Sequence, residues 1–125
     1  MTTRLLLVDG DLDNKIFAEY FAGLDIDIDF ASTGVEACAK ALETDYHMII
    51  LAIAMPDMRG IDAARFLRHN LRQDKPVKLV ASTASPIITR KGRTQLDAAG
   101  FDEVYIKPYT QDGLVQLITS LSGDS

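Results

Sequence analysis

The chain has 125 residues, of which 47% are hydrophobic and 25% are charged, which is the size and composition of one globular domain and excludes a disordered chain. Its formal net charge of −5 argues against a nucleic-acid binder, and its longest apolar run, residues 48–55, is too short to cross a membrane. The single cysteine, Cys38, fits a small buried helix residue in a reducing compartment. We therefore expect a cytoplasmic domain whose partners are proteins.

The first predicted strand covers residues 4–8, an apolar run without alternation that is typical of a strand covered on both faces. Turn-like residues 9–11 follow it. Asp11 or Asp13 then begins a helix, and Gly23 ends that helix.

The second unit starts with strict alternation of aspartate and apolar residues over residues 25–30, which predicts a half-exposed edge strand. Ser32 or Thr33 begins the helix that follows. The apolar positions of this helix are Val35, Ala37, Cys38, Ala41 and Leu42.

The third unit contains the most continuously apolar stretch, residues 48–53, which is predicted as the central strand. Residues 55–60 carry a loop signal, and residues 61–71 have apolar positions at helical spacing. Those positions are Ile61, Ala64, Phe66, Leu67 and Leu71.

The last two units follow the same order. Residues 78–81 predict a fourth strand, and a helix is expected within residues 86–99, closed by Gly100. Residues 104–106 predict a fifth short strand, and Thr110 caps the last helix. The inner face of that helix carries Leu114, Leu117, Ile118 and Leu121.

Strands and helices thus alternate five times, which predicts one α/β domain with a parallel, doubly wound sheet joined by right-handed crossovers. We expect this domain to cover residues 1–125, with order from about residue 3 to about residue 121. In such folds the functional crevice lies at the carboxyl ends of the strands. Those ends carry Asp9, Gly10, Asp11, Ala52, Ser82, Thr83 and Lys107.

Five short motifs stand at these strand ends. They are Leu-Val-Asp at 7–9, Ala-Ile-Ala-Met-Pro-Asp-Met-Arg-Gly at 52–60, Ser-Thr-Ala at 82–84, Ala-Gly-Phe-Asp-Glu at 99–103 and Ile-Lys-Pro-Tyr at 106–109. In this order the chain resembles the receiver domain of bacterial two-component response regulators over essentially its full length. The resemblance implies the flavodoxin-like (βα)5 fold, with strand order 2-1-3-4-5, and a signalling role rather than an enzymatic one.

The resemblance also implies a pocket that this chain has largely lost. In receivers an acidic pair after the first strand and an aspartate ending the third hold Mg²⁺, and that last aspartate accepts a phosphoryl group from a histidine kinase. Here the acceptor position is Ala52, and the acidic pair is Asp9 and Gly10. Asp11 is out of register and is expected to be a cap or turn residue. Because Mg²⁺ needs several oxygen ligands, we expect its binding to be lost or weak, leaving no cofactor.

Two other pocket positions keep the residue type of the family. Thr83 matches the hydroxyl residue that contacts the phosphoryl group, and Lys107 matches the lysine of the pocket. With no phosphate partner, Thr83 can instead bond the local backbone, and Lys107 can pair with Asp9. The resemblance also implies a cis bond between Lys107 and Pro108.

The output side of the pocket has changed as well. The aromatic switch position of the family, three residues before the lysine, is Val104, and alternation turns the neighbouring Tyr105 toward the opposite face of the sheet. Because Gly10, Ala52 and Val104 all depart from the family, a naturally degenerate receiver is favoured. A phosphorylatable regulator carrying an Asp→Ala substitution at position 52 is the alternative.

The first functional hypothesis is therefore a pseudo-receiver that binds a histidine kinase or another signalling protein without phosphorylation. By resemblance it docks through its last two helices and last strand. The candidate contacts are Arg90, Lys91, Arg93, Tyr105 and Tyr109. For each basic residue, a solvated helix position is the simpler explanation.

Two further hypotheses stay open. An anionic nucleotide such as a cyclic dinucleotide can be gripped by arginines. The side chains available for that are Arg90, Lys91 and Arg93, or Arg65, Arg68, His69 and Arg72. Asp57 can serve as a substitute phosphoacceptor, although a turn role explains it better. Classical enzyme chemistry is not predicted, since neither His47 nor His69 has a companion nucleophile or metal-ligand spacing.

Overall fold

The computed structural model describes residues 2–10, 17, 19–71, 74, 76–85 and 88–121. Its five strands form one parallel sheet in the order β2-β1-β3-β4-β5, which confirms the predicted order. The strands are β1 (Thr3–Val8), β2 (Ile26–Ala31), β3 (Met48–Ala52), β4 (Lys78–Thr83) and β5 (Glu103–Ile106).

Four helices lie within the described part of the chain. They are α1 (Gly34–Glu43), α2 (Gly60–Asn70), α3 (Arg90–Ala99) and α4 (Gln111–Thr119). The first predicted helix falls largely on residues 11–16 and 18, which lie outside the described residues. None of the described helices is long and apolar enough to cross a membrane.

The position of each strand follows from its sequence. All five residues of β3 are buried, because this strand lies in the centre of the sheet with side chains packed on both faces. β2 lies at one edge, and its aspartates are exposed while its apolar residues are half-buried or buried, as the alternation predicts. One hydrophobic cluster packs α1, α2 and α3 on one face of the sheet, and a second packs α4 with Phe17 and Phe21 on the other.

The helix ends follow the predicted capping chemistry. The Thr33 side chain accepts a hydrogen bond from the Glu36 N–H at 3.1 Å, and the Thr110 side chain accepts one from the Gly113 N–H at 3.0 Å. Gly100 ends α3 with a φ of 106°, a left-handed conformation that favours glycine.

Two predicted boundaries are corrected. Helix α3 begins at Arg90 rather than soon after residue 86, because the Thr89 side chain caps it by accepting from the Gly92 N–H at 3.0 Å. Strand β4 continues two residues beyond 81, because Ser82 and Thr83 stay in register with β5.

Candidate functional site: the remnant phosphorylation pocket

Asp9 directly follows β1, and only 7% of its surface is exposed. Its Oδ2 atom accepts a hydrogen bond from the Lys107 ammonium at 2.6 Å and another from the Tyr109 hydroxyl at 3.1 Å. The ion pair with Lys107 is the one expected from the sequence. A buried carboxylate is costly without such a partner, so Lys107 offsets the desolvation of Asp9.

The hydroxyl of Tyr109 continues this contact to Ser82, whose Oγ lies 2.7 Å away and is buried. Strands β1 and β4 flank β3, so the contacts from Asp9 through Tyr109 to Ser82 cross the carboxyl end of β3. That end is Ala52, which is fully buried and in register with Ser82. We call these contacts the Asp9–Tyr109–Ser82 bridge. The bridge passes over the position at which the resemblance implies a phosphoacceptor.

Tyr109 is held in the bridge by aromatic packing and burial. Its ring stacks on Tyr105 with centroids 5.5 Å apart and meets Phe17 edge-on, also at 5.5 Å. Burial raises the pKa of the Tyr109 phenol; the hydrogen bond with Ser82 opposes this rise, and the nearby Asp9 carboxylate adds to it. The hydroxyl therefore stays protonated at neutral pH and can donate to Asp9.

Lys107 reaches Asp9 from the turn after β5. Its peptide bond to Pro108 is cis, as the resemblance implies. The ammonium also lies 5.8 Å from the ring centroid of Tyr109, within cation–π range. The positive charge of Lys107 thus interacts with two members of the bridge, the Asp9 carboxylate and the Tyr109 ring.

Thr83 bonds within its own turn. Its Oγ1 accepts a hydrogen bond from the Ser85 N–H at 3.1 Å, and its carbonyl accepts one from the Lys107 N–H at 2.8 Å. This is the local backbone bonding that the sequence left open for Thr83.

Among the described residues, the donor set of the pocket does not fit Mg²⁺. Of the three positions that carry carboxylates in the family, position 52 is alanine, position 10 is glycine, and Asp9 already pairs with Lys107. Within the described residues, no three His, Cys, Asp or Glu side chains are grouped so as to hold a metal ion; Asp11 lies outside them. Mg²⁺ gives up its waters reluctantly, and one neutralised carboxylate is poor compensation.

Comparison with known proteins identifies the family of the chain. The family model of the response regulator receiver domain matches residues 5–119. This chain belongs to the receiver domain family. It is 30% identical over 120 residues to the transcriptional regulatory protein ResD of Bacillus subtilis, an alignment that covers 95% of this chain and 48% of ResD. The chain spans about half the length, or less, of the curated relatives it matches.

Solved receivers share the fold. Chemotaxis response regulator CheY4 of Vibrio cholerae superimposes with a TM-score of 0.83 at 20% identity, covering 97% of this chain and 99% of CheY4. The receiver domain of Saccharomyces cerevisiae Ssk1 was solved with the histidine phosphotransfer signaling protein Ypd1. It superimposes with a TM-score of 0.83 at 25% identity, covering 96% of this chain and 88% of that one.

In this receiver, the Asp57 side chain bonds to the start of helix α1. Its Oδ1 accepts from the Gly34 N–H and its Oδ2 from the Val35 N–H, both at 2.9 Å. These two bonds lower the pKa of the Asp57 carboxyl. They satisfy free N–H groups at the start of α1, so Asp57 joins the β3–α2 loop to that helix. The sequence predicted a turn residue and missed this cap, which links positions far apart in the chain.

The two switch candidates of β5 lie on opposite faces of the sheet, as alternation predicts. Val104 packs against the cluster under α1, α2 and α3, and Tyr105 against the cluster under α4. The Tyr105 hydroxyl donates to the Pro108 carbonyl and accepts from the Thr110 N–H, both at 3.3 Å. Tyr109, assigned from sequence to the output face, instead turns its hydroxyl into the pocket, because Asp9 and Ser82 offer it partners there.

Two of the arginines considered for nucleotide binding already bond to groups within the protein. The Arg68 guanidinium donates to the carbonyls of Gly100 and Val77 at 2.8 and 3.0 Å and pairs with Asp102 at 2.6 Å. Arg93 pairs with Asp97 at 3.2 Å.

The other basic residues considered for nucleotide binding, and both histidines, are exposed wherever the structure describes them. Arg65, His69, Arg90 and Lys91 are exposed, and Arg72 lies outside the described residues. His47 is exposed before β3, where its Nδ1 accepts from the Arg4 N–H at 2.9 Å.

Proposed function

We propose that this receiver is a pseudo-receiver, which acts in two-component signalling through protein contacts and without an Asp-phosphate. The observation that carries this proposal is the Asp9–Tyr109–Ser82 bridge over Ala52. A methyl group can neither attack phosphorus nor bind a metal, and phosphoryl transfer needs both a nucleophile and neutralisation of the equatorial oxygens. The remaining charges at this position are already matched, one carboxylate to one ammonium.

A matched pair of charges gives the pocket a resting state of its own. In an ordinary receiver, clustered carboxylates repel each other until a cation is bound. Here one carboxylate remains and Lys107 neutralises it at 2.6 Å. We therefore propose that Mg²⁺ binds weakly or not at all, and that the domain holds one conformation that its partner recognises.

The proposed partner is a histidine kinase, a phosphotransfer protein or another protein of the same signalling system. The Ssk1 receiver, which was solved with the phosphotransfer protein Ypd1, supports a partner of this kind. The start of α3 supports contact with an acidic surface, since Arg90 and Lys91 are exposed in a first turn without acidic residues. Cations there oppose the helix dipole, so helix stability does not explain them. We propose that residues 3–121 work as one cytoplasmic domain.

An amide NMR titration with Mg²⁺ and beryllofluoride, a phosphoryl mimic, tests the proposal. We expect no saturable shifts at Asp9, Ser82, Lys107 or Tyr109 in the original chain. Saturable shifts at these amides would show that the pocket still senses metal or phosphate, and the proposal would then be wrong.

Two variants serve as matched controls for this titration. Ala52→Asp alone is expected to respond weakly, because position 10 still lacks a carboxylate and Tyr109 still holds Asp9. Gly10→Asp combined with Ala52→Asp supplies three carboxylates and is expected to respond. A side chain at position 10 has room, since nothing lies closer than 3.8 Å to a Cβ there. Strong Mg²⁺-dependent phosphorylation of Ala52→Asp alone would argue for a working pocket with a single substitution.

A further inference from the structure

Tyr105 and Tyr109 join the pocket to the start of helix α4. Their rings stack at an interplanar angle of 22°, with centroids 5.5 Å apart. The Tyr109 hydroxyl lies in the pocket, where it bonds to Asp9 and Ser82. The Tyr105 hydroxyl instead contacts the residue that caps α4. We call these two rings the tyrosine stack.

The first turn of α4 packs around the Tyr105 hydroxyl. This hydroxyl accepts a hydrogen bond from the N–H of Thr110, the N-cap residue, and donates to the Pro108 carbonyl, both at 3.3 Å. It also lies against Gly113, where a methyl group would overlap the hydroxyl oxygen. The Thr110 side chain in turn accepts from the Gly113 N–H at 3.0 Å. A shift of the Tyr105 ring therefore disturbs the cap of α4 directly.

The tyrosine stack is packed on the face of the sheet that α4 covers. The Tyr109 ring meets Phe17 edge-on, with centroids 5.5 Å apart, and Tyr105 stacks on the same ring. Both tyrosines pack against the hydrophobic cluster that contains Phe17 and the buried residues of α4. Protein interiors are close-packed, so a displacement of one ring passes to the ring in contact with it. The bonds that hold Tyr109 in the pocket thus also help to fix the position of Tyr105.

This route differs from the one that the resemblance to receivers implies. The aromatic position of the family is Val104, which packs against the cluster on the other face of the sheet, under α1, α2 and α3. Tyr105 is the next residue, and alternation turns it to the face covered by α4. The contacts from the pocket to a helix start therefore run through Tyr105 and Tyr109, on the α4 face.

We propose that the tyrosine stack couples the pocket to the first turn of α4. In one arrangement the Tyr109 hydroxyl bonds to Asp9 and Ser82 and the α4 cap is firm; in the other the hydroxyl leaves the pocket and the cap loosens. Coupling between two sites is reciprocal, so a protein that holds Tyr105 at the start of α4 also holds Tyr109 in the pocket. The coupling does not depend on the proposed function, because it needs neither a metal nor a phosphoryl group.

Amide hydrogen exchange of the full chain tests this coupling, because α1 provides a matched reference for α4. Each helix is capped by a threonine, and the fourth residue after that threonine is fully buried, Ala37 in α1 and Leu114 in α4. Both amides donate to the carbonyl of their capping threonine at 3.0 Å. We expect Tyr109→Phe to raise the exchange rate of Leu114 relative to Ala37 about fivefold, the effect of one net hydrogen bond.

Tyr46→Phe and Val104→Ala are the controls. Tyr46 and Val104 both pack in the cluster on the other face of the sheet, and Tyr46→Phe likewise removes a hydroxyl that donates to a carboxylate, that of Asp29 at 2.6 Å. Neither control should raise the exchange rate of Leu114 relative to Ala37. An unchanged ratio in Tyr109→Phe, or an equal rise in either control, would overturn the coupling.

Tyr105→Phe tests the coupling in the reverse direction. This variant keeps the ring and removes only the hydroxyl that contacts Thr110 and Gly113. We expect the carboxyl carbon NMR signal of Asp9 to shift in the same direction as in Tyr109→Phe, by a smaller amount, because Tyr109 then holds Asp9 less firmly. Circular dichroism melts show that each variant is folded. An Asp9 signal that stays at its original position in Tyr105→Phe would show that the pocket does not respond to the start of α4, and the coupling would then be wrong.

Discussion

The strand-end pocket and the β3–α2 loop above it meet at the end of β3. They differ in which residue types of the receiver family they carry. In the pocket, Gly10 and Ala52 stand where the resemblance to receivers implies two carboxylates. In the loop, Asp57 caps α1 and Gly60 lets the loop close against the end of β3, where its N–H donates to the Ile53 carbonyl at 2.8 Å. The loop residues stabilise the fold, whereas under the proposed function carboxylates at positions 10 and 52 would serve only phosphoryl chemistry.

Under the proposed function, the folding free energies of the two regions account for this difference. Clustered carboxylates raise the energy of the folded state unless a cation is present, so a receiver that does not use phosphate gains stability by losing them. A loop that caps a helix contributes stability in every copy of the protein, whatever its signalling chemistry. A receiver can therefore lose its chemistry and keep its architecture.

Glycine substitutions in the two regions should give the largest contrast. At Gly60 a methyl group would overlap the Ala52 carbonyl oxygen and come within 2.9 Å of Ile53 Cα, both backbone atoms that cannot move aside. We expect Gly60→Ala to cost about 3 kcal/mol in urea unfolding. Gly10→Ala should stay within about 0.5 kcal/mol, because its Cβ has room. Equal costs at the two sites would contradict the division between loop and pocket.

Arg68 and Arg65, three residues apart on α2, allow a second comparison, between an arginine that bonds to other elements and one that is exposed. Arg68 donates to two carbonyls and pairs with Asp102, so Arg68→Ala leaves the Val77 and Gly100 carbonyls without this donor. We expect a loss of about 2 kcal/mol of unfolding free energy. Arg65→Ala at an exposed position should change stability by less than about 0.5 kcal/mol. Matching thermal and urea unfolding of the two variants checks this; a neutral Arg68→Ala would show that its contacts are dispensable.

The sequence predicts most of this fold because its signals are local. The strands appear as short apolar runs, the caps Thr33 and Thr110 precede their helices, and strand order follows from the family resemblance. The ion pair of Asp9 and Lys107 is also predictable, since both residues end parallel strands.

The contacts that the sequence does not predict join distant positions through side-chain direction. Tyr109 lies beyond β5, after a cis proline, where strand alternation no longer fixes its direction, so its place in the bridge is not readable from the pattern. Asp57 and Arg68 bond to backbone groups of other elements, which leaves no periodic signal. Val35 and Phe66 fit helical spacing yet are exposed, because α1 and α2 both pack inward mainly with small residues.

Tyr109→Phe tests how much the pocket contributes to the unfolding free energy and how that contribution depends on pH. We expect a loss of about 1 kcal/mol of unfolding free energy at neutral pH, since Asp9 and Ser82 each lose a hydrogen-bond partner. The pKa of Tyr109 is raised in the folded protein, so its stabilising effect is complete below about pH 10 and declines as pH rises above that value. Tyr109→Phe should therefore make unfolding free energy fall less steeply above pH 10.

Tyr46→Phe is the control for this pH effect. Burial, followed by the hydrogen bond to Asp29, raises the pKa of Tyr46 as well. The alkaline slope should become shallower in both variants, but only Tyr109→Phe should shift the amide signals of Asp9 and Ser82. An unchanged alkaline slope in Tyr109→Phe would mean that the phenol does not stay buried and protonated in the pocket.

Asp57→Asn should have the smallest effect and the opposite pH dependence. The pKa of Asp57 is lowered by the Gly34 and Val35 N–H groups, so its stabilisation is complete above about pH 4 and is lost as pH falls through the lowered value. An amide can accept with only one oxygen, so at most one of the two bonds keeps its present acceptor atom. We expect a slightly lower Tm at neutral pH and a smaller further fall of Tm in acid, measured by circular dichroism between about pH 2 and pH 6.

The control is Asp27→Asn, at an exposed position in β2. If both variants melt alike at every pH, the carboxylate of Asp57 does not hold the loop, and the contact of Gly60 with the end of β3 must hold it instead. If only Asp57→Asn loses its acid dependence, the Asp57 carboxylate, five residues from Ala52, serves the fold alone. Residues 52–60 would then contain both Ala52, the position on which the proposed loss of phosphoryl chemistry rests, and Asp57, a residue that only stabilises the fold.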